Sequence, residues 1–222
     1  MGDSPHTADG RQSESADDPR FVADAAAMAE AIAGVRRNDA ASVRVLSDRG
    51  RAWLREAAAG LDFRPCRPVV GTGDKAVTQT FEICTTPPWH GPFGETARVL
   101  SDLVNAGLAC MAERPCANIA FNEAMVQRYP PSPCGISPHR DHIRYTALIG
   151  ILVVDGAGAF HICDDRAGNN ARPIPAPLGS FLLMRAPGFD ASRYRPFHTV
   201  GAVTQTRLIA GYRQDTRPGE PD

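Results

Sequence analysis

The segment YPPSPCGISPHRDH, residues 129–142, ends in a histidine and an aspartate two positions apart, His139 and Asp141. If this stretch is extended, both side chains point to one face, and Arg140 and His142 point to the other. One imidazole and one carboxylate on a common face are two-thirds of a facial triad, the ligand set that leaves open positions on a ferrous ion. The pair decides nothing by itself. With 6 histidines and 17 aspartates in 222 residues, chance supplies about 0.5 His-x-Asp occurrences, and a surface His–Asp pair satisfies the same pattern.

The weight lies downstream. His198, in RPFHTV, sits 57 residues after Asp141 on an expected strand and would return a second imidazole. Nine residues later the strand RLIAGYR begins at Arg207 and ends at Arg213, and period-two alternation puts both arginines on one side. Inward arginines in an apolar strand are costly unless an anion neutralises them. A dicarboxylate would do so, one end gripped by a guanidinium fork and the other chelating the metal. A structural aspartate, or a solvated strand face, would meet the same need.

Around these residues the pattern changes character along the chain. Residues 1–20 are polar and acidic, expected as a disordered leader. From Phe21 to Leu61 the periodicity predicts helix, and 78–85 reads as β-rich. The turn PPWHGPFG, 87–94, precedes an amphipathic helix over 94–114 closed by Pro115. Segments 117–129, 144–154, 158–164, 179–184, 197–203 and 205–213 are short, β-branched or aromatic, and divided by Gly, Pro and Asp. The expectation is one α+β domain over 21–222, with a helical and hairpin preface at 21–116 and a strand-rich core at 117–214.

Composition narrows the function classes. Lys and Arg number 24 against 25 acidic residues, with Lys75 the only lysine, so a broad polyphosphate-binding surface is not expected. Uncharged apolar runs long enough to span a membrane are absent, and so is a secretory signal pattern. Six cysteines lie at irregular spacing without a CxxC pair, which points to reduced thiols and a cytoplasmic setting.

The order His139-x-Asp141, distal His198, then Arg207 in a strand-rich half resembles the Fe(II)/2-oxoglutarate-dependent dioxygenase superfamily. The resemblance covers about 117–214 and implies a double-stranded β-helix, the jelly-roll or cupin-like fold, with supporting N-terminal helices. It implies His139, Asp141 and His198 as iron ligands and Arg207 as partner of the distal 2-oxoglutarate carboxylate. Tyr129 matches a co-substrate hydrogen-bond donor, and Gly179 matches the turn before the strand leading to the distal histidine. The Arg207–Arg213 pair is similar to the branch that repairs alkylated nucleic acids, which makes Arg213 a second co-substrate contact. Dioxygen would be the other co-substrate and ascorbate a reductant.

Under that resemblance the chain is an oxygenase that hydroxylates, desaturates or cyclises a small molecule, such as an amino acid or a specialised-metabolite intermediate. Arg185, Arg140 and Trp89 are the substrate-binding candidates, the arginines for a carboxylate and Trp89 on a covering loop. Demethylation of an alkylated base is one alternative, and a non-catalytic cupin-like binding protein is another. His142 reads as a neighbour of the metal site or a surface residue, and Met184 or Cys134 as oxidation-prone pocket residues if they line the cavity.

Overall fold

The computed structural model describes residues 18–217; the expected leader lies almost wholly outside them. The chain runs α1 (Ala25–Asn38), β1 (Ala40–Arg44), α2 (Asp48–Ala59), β2 (Arg64–Pro65), β3 (Val69–Val70), β4 (Val77–Thr78), β5 (Glu82–Cys84) and α3 (Pro92–Ala109). The strand-rich half follows as β6 (Glu123–Tyr129), β7 (Ile136–His139), β8 (Tyr145–Asp155), β9 (Gly158–Cys163), β10 (Arg172–Pro173), β11 (Ser180–Arg185), β12 (Phe197–Val203) and β13 (Arg207–Asp215). Seven strands form one sheet in the order β1-β11-β8-β13-β6-β5-β2, and four form a second in the order β10-β9-β12-β7. The fold is α+β, a double-stranded β-helix backed by helices.

Strand alternation sorts the large sheet into two faces. Leu148, Leu152, Leu208, Ala210 and Tyr212 join one buried cluster with Leu100, Val104 and Leu108 of α3. Ile149, Ile151, Val153 and Ile209 join a second with Phe160, Ile162 and Val200 of the small sheet. Because the side-chain period is two, Arg207 and Arg213 share the face of Ile209 and look into the space between the sheets. Helix α3 presents Phe93, Ala97, Leu100, Val104 and Leu108 at three- and four-residue steps, and all are buried.

Several sequence expectations change in detail. The stretch 21–61 is not continuously helical. Asp39 takes a left-handed conformation (φ 68°) and caps α1 through its backbone N–H to Val35 O. The chain then pairs β1 along the edge of β11, with Ser42 opposite Leu182. Tertiary pairing overrides a weak local preference there. Helix α3 starts earlier than expected, at Pro92, whose missing N–H costs nothing in the first turn. It also stops earlier, at Ala109, so 110–114 is not helical. The expected strand at 117–129 begins only at Glu123, and 78–85 divides between β4 and β5.

Candidate active site

His139 is the last residue of β7 and His198 the second of β12, and the two are directly opposite in register. Their ring centroids lie 4.2 Å apart. Asp141 is beyond the end of β7, on the loop, and not on the strand as the alternation argument had it. Arg195 fixes that loop by donating from Nη1 to the Asp141 carbonyl at 2.5 Å. The outcome for geometry is the same: ligand atoms of His139, Asp141 and His198 all lie within 4.8 Å of one another.

The imidazoles are oriented for a cation. Nδ1 of His139 lies 2.9 Å from Ser137 O, a contact that fixes the proton on Nδ1 and leaves the Nε2 lone pair free. Nδ1 of His198 faces Pro196 O at 3.5 Å, and its Nε2 lies 3.6 Å from Asp141 Oδ2. Burial lowers the pKa of both rings, and His198 falls to about 3, with His139 as a second cause. Burial alone would raise the Asp141 carboxyl, but Arg213, His198 and His139 together hold it below its ordinary range. Two neutral imidazoles and one carboxylate are the donor set a ferrous ion takes.

A cavity of about 370 Å³ opens onto these three residues, lined also by Tyr129, Tyr145, Arg140, Arg207 and Arg213. Arg207 is 1% exposed, and its Nη1 has no hydrogen-bond partner among the described residues. Its guanidinium sits 5.6 Å from the Tyr129 ring centroid. A buried cation left without a partner is the mark of a site that takes an anion. Arg213 is 7% exposed, places Nη2 3.8 Å from Asp141 Oδ1, and stacks 5.2 Å from the Tyr145 ring. Burial pushes the Tyr129 phenol up to about 12, so it is a hydrogen-bond donor at neutral pH.

The structure brings His139, Asp141, His198, Tyr129, Arg140, Arg207 and Arg213 to one cavity and leaves two candidates outside it. Arg185 is turned toward Asp39 (3.4 Å) and Phe189 O. Trp89 is 37% exposed and does not line the cavity. His142 is exposed, its Nδ1 accepting from the Arg144 amide at 3.2 Å. Neither Met184 nor Cys134 lines the cavity; Met125 and Cys66 do.

Sequence reasoning missed Tyr145 and Gly211. Tyr145 hydroxyl donates to Glu123 at 2.7 Å and accepts from Arg144 at 2.6 Å, which anchors the ring beside Arg213. At Gly211 an added Cβ would sit 2.8 Å from Arg213 Nη1, so the guanidinium uses the space a side chain would fill. A glycine inside an apolar strand is the signal that marks such close approach.

No protein-family model and no curated protein matches the chain. Solved structures do. A 2OG-Fe(II) oxygenase family oxidoreductase from Burkholderia pseudomallei aligns at TM-score 0.62 and 11% identity, over 86% of this chain and 92% of that one. A Pseudomonas putida prolyl-4-hydroxylase aligns at 0.57 and 15%, over 86% and 100%. A Trichoplax adhaerens prolyl hydroxylase, in complex with a hypoxia inducible factor peptide fragment, aligns at 0.56 and 14%, over 85% and 89%. At these identities the likeness is one of fold.

Proposed function

We propose that the chain is an Fe(II)- and 2-oxoglutarate-dependent oxygenase acting on a small molecule, with His139, Asp141 and His198 as the metal ligands. The observation that carries this reading is the pairing of a His-Asp-His cluster with an unpartnered buried arginine, Arg207, on one cavity. Bound together, iron and 2-oxoglutarate supply the oxidising power: dioxygen and the keto acid give succinate and carbon dioxide, and one oxygen atom goes to the substrate.

The chain's own residues would do the positioning. Two neutral imidazoles and one carboxylate offset part of the metal's charge while leaving one side of the cluster open to the cavity. Arg207 would grip the distal carboxylate through its fork, with Tyr129 donating a further hydrogen bond. Arg213, held against Tyr145, would keep the Asp141 carboxylate oriented and add a positive charge on the co-substrate side. Ile151, Phe160, Val200 and Ile209 line the same space and exclude water from it. The six free cysteines support a reducing, cytoplasmic setting, with ascorbate as an added reductant in vitro.

A small molecule is the substrate class we favour, an amino acid or a specialised-metabolite intermediate. The inward pair Arg207 and Arg213 favours a second reading, demethylation of an alkylated base, which salt-dependent binding to single-stranded DNA would separate from the first. Anaerobic addition of Fe(II) and 2-oxoglutarate should give a visible charge-transfer band. His139→Ala and Asp141→Ala should lose metal binding by calorimetry while keeping a cooperative unfolding transition. A band that survives both substitutions would sink the assignment, and so would the absence of any band in the intact protein.

A further inference from the structure

The hairpin β3–β4 brings a pair of valines to the cavity. Val70 and Val77 are register partners, so both stand on one face of the two-stranded ladder, and both line the cavity. The neighbouring pair, Val69 and Thr78, stands on the other face, and neither residue lines it. The hairpin is fixed to β7 and its approach. Thr78 N–H donates to Ser137 Oγ at 2.9 Å, and Thr80 N–H donates to Gly135 O at 2.8 Å. Ser137 O in turn holds Nδ1 of His139. The valine pair is therefore tied to the same strand that positions one of the proposed metal ligands.

Ile83 and Met125 continue this lining from β5 and β6. The polar side chains beside them, Gln79 and Gln127, are uncharged amides. The charges that border the cavity are committed elsewhere. Asp141 belongs to the ligand cluster, Arg213 faces it, and Arg207 stands opposite Tyr129, where the proposed function puts the co-substrate. Arg140 carries its guanidinium 4.0 Å from Phe197, which alternation puts on the face of β12 opposite His198. A charged group laid against the valines would give up water and find no partner. A flat base would need a ring to stack on. Phe81 is the aromatic side chain nearest in sequence, and it is buried with its ring against Tyr129, centroids 4.8 Å apart. Val70, in contrast, is 48% exposed, aliphatic surface that a ligand in the cavity can cover.

We infer that Val70, Val77, Ile83 and Met125 form the substrate subsite, and that the substrate is a neutral molecule that lays an extended or branched aliphatic body along them. This inference rests on the oxygenase reading and narrows its substrate class. A free amino acid, charged at both ends, and an alkylated base, read by stacking, both suit this wall less well than an uncharged aliphatic chain does.

The test uses the intact protein loaded anaerobically with Fe(II) and 2-oxoglutarate, titrated by calorimetry. The probes are straight and branched aliphatic primary amides of increasing length, the matching free acids and amines, and methylated adenine and cytosine bases. Affinity should rise by about three- to fourfold with each methylene added to the amides, until the wall is covered. The amides should bind about tenfold or more tightly than the acids and amines of the same skeleton. Val70→Thr and Val77→Thr, which keep the side-chain shape and exchange a methyl for a hydroxyl, should each weaken the best amide by about threefold or more. Val77→Ala, which removes contact area without adding a polar group, should do the same. Val69→Thr, on the outer face of the same ladder, should change nothing, and denaturant midpoints confirm that each variant folds. Affinity independent of chain length overturns the subsite, as does the absence of binding by every aliphatic amide. A ranking untouched by the Val70 and Val77 substitutions, or moved equally by Val69→Thr, overturns it too. So does tighter binding of a free acid, an amine or a methylated base than of any aliphatic amide. Failure of the charge-transfer band would instead count against the oxygenase reading, which the calorimetric ranking does not measure.

Discussion

Arg207 and Tyr129 are direct partners across the β13–β6 pair, and the guanidinium lies 5.6 Å from the ring centroid. The aromatic face offsets part of the burial of this cation, and Nη1 has no hydrogen-bond partner among the described residues. Burial pulls its pKa down, which states the same cost in another form.

Stability and binding should therefore move in opposite directions at this position. Arg207→Met keeps the volume and removes a desolvated charge, so the ligand-free protein should gain on the order of 1 kcal/mol or more. Affinity for 2-oxoglutarate should fall by about a hundredfold, as expected for loss of a charge-assisted bidentate pair. Denaturant midpoints and calorimetry check the two halves. A variant that is destabilised and still binds the keto acid would make Arg207 a structural residue.

Gly211 tests the geometry around Arg213. A methyl group there meets the far end of a flexible side chain, 2.8 Å from Nη1, and the guanidinium can move at little cost to the fold. The backbone at Gly211 is not in the left-handed region, so alanine also restricts the unfolded chain, worth about 0.4–1 kcal/mol. Gly211→Ala should match or slightly exceed the native stability. It should also displace Arg213 from Asp141, so that the visible spectrum of Co(II) bound at the cluster shifts. An unchanged spectrum would mean that the Arg213–Asp141 contact has no influence on the metal.

The wall behind Arg213 depends on a charge at the end of β13. Asp215 accepts a hydrogen bond from Arg217 and pairs with Arg144 Nε at 2.8 Å; these hold its carboxyl at about 2, Arg217 contributing most. A folded pKa below the ordinary 3.8 gives stability that is complete above pH 4. As pH falls, the unfolded chain takes the proton first, and the contribution is lost between about 4 and 2. Asp215→Asn should be less stable than the native protein at pH 7, with the difference narrowing through that window. Salt should shrink it, because the pair is partly exposed. A constant difference from pH 7 to the acid limit of folding would remove the carboxylate from the explanation.

How much of this was legible in the sequence follows from what each signal measures. Alternation in RLIAGYR placed Arg207 and Arg213 inward because a buried two-faced strand has only one register that hides Leu208, Ala210 and Tyr212 against the helices. The spacing His139-x-Asp141 with a distal His198 was readable for the same reason, although Asp141 reaches the cluster from a loop. Arg185 was not readable: β11 places it at the sheet's end, and Asp39, held by the left-handed turn after α1, captures it. Tyr145 was hidden by a bulge. Residue 215 pairs with 145 where 213 pairs with 149, and Ala147 takes φ 61° between them. Local pattern carries no information about such an insertion.

If the chain is the oxygenase proposed above, the cavity lining also says where misdirected oxidation falls. The expectation that Met184 or Cys134 is exposed to it assumed that they face the site; Met184 is instead buried in the inter-sheet cluster without lining the cavity, and Cys134 lies on an exposed loop. Met125 on β6 and Cys66 line the cavity itself. When 2-oxoglutarate and dioxygen are consumed without substrate, the oxygen atom that substrate would have taken has the Met125 thioether as an acceptor, giving the sulfoxide. Cys66 is the second acceptor, slower because burial pushes its thiol up and away from the reactive thiolate. Peptide mapping after uncoupled turnover should find a gain of about 16 Da at Met125 before Met184, and Arg207→Met should suppress it. Equal oxidation of both methionines, or oxidation that persists in the Arg207 variant, would trace the damage to diffusing oxidants and not to chemistry held in this cavity.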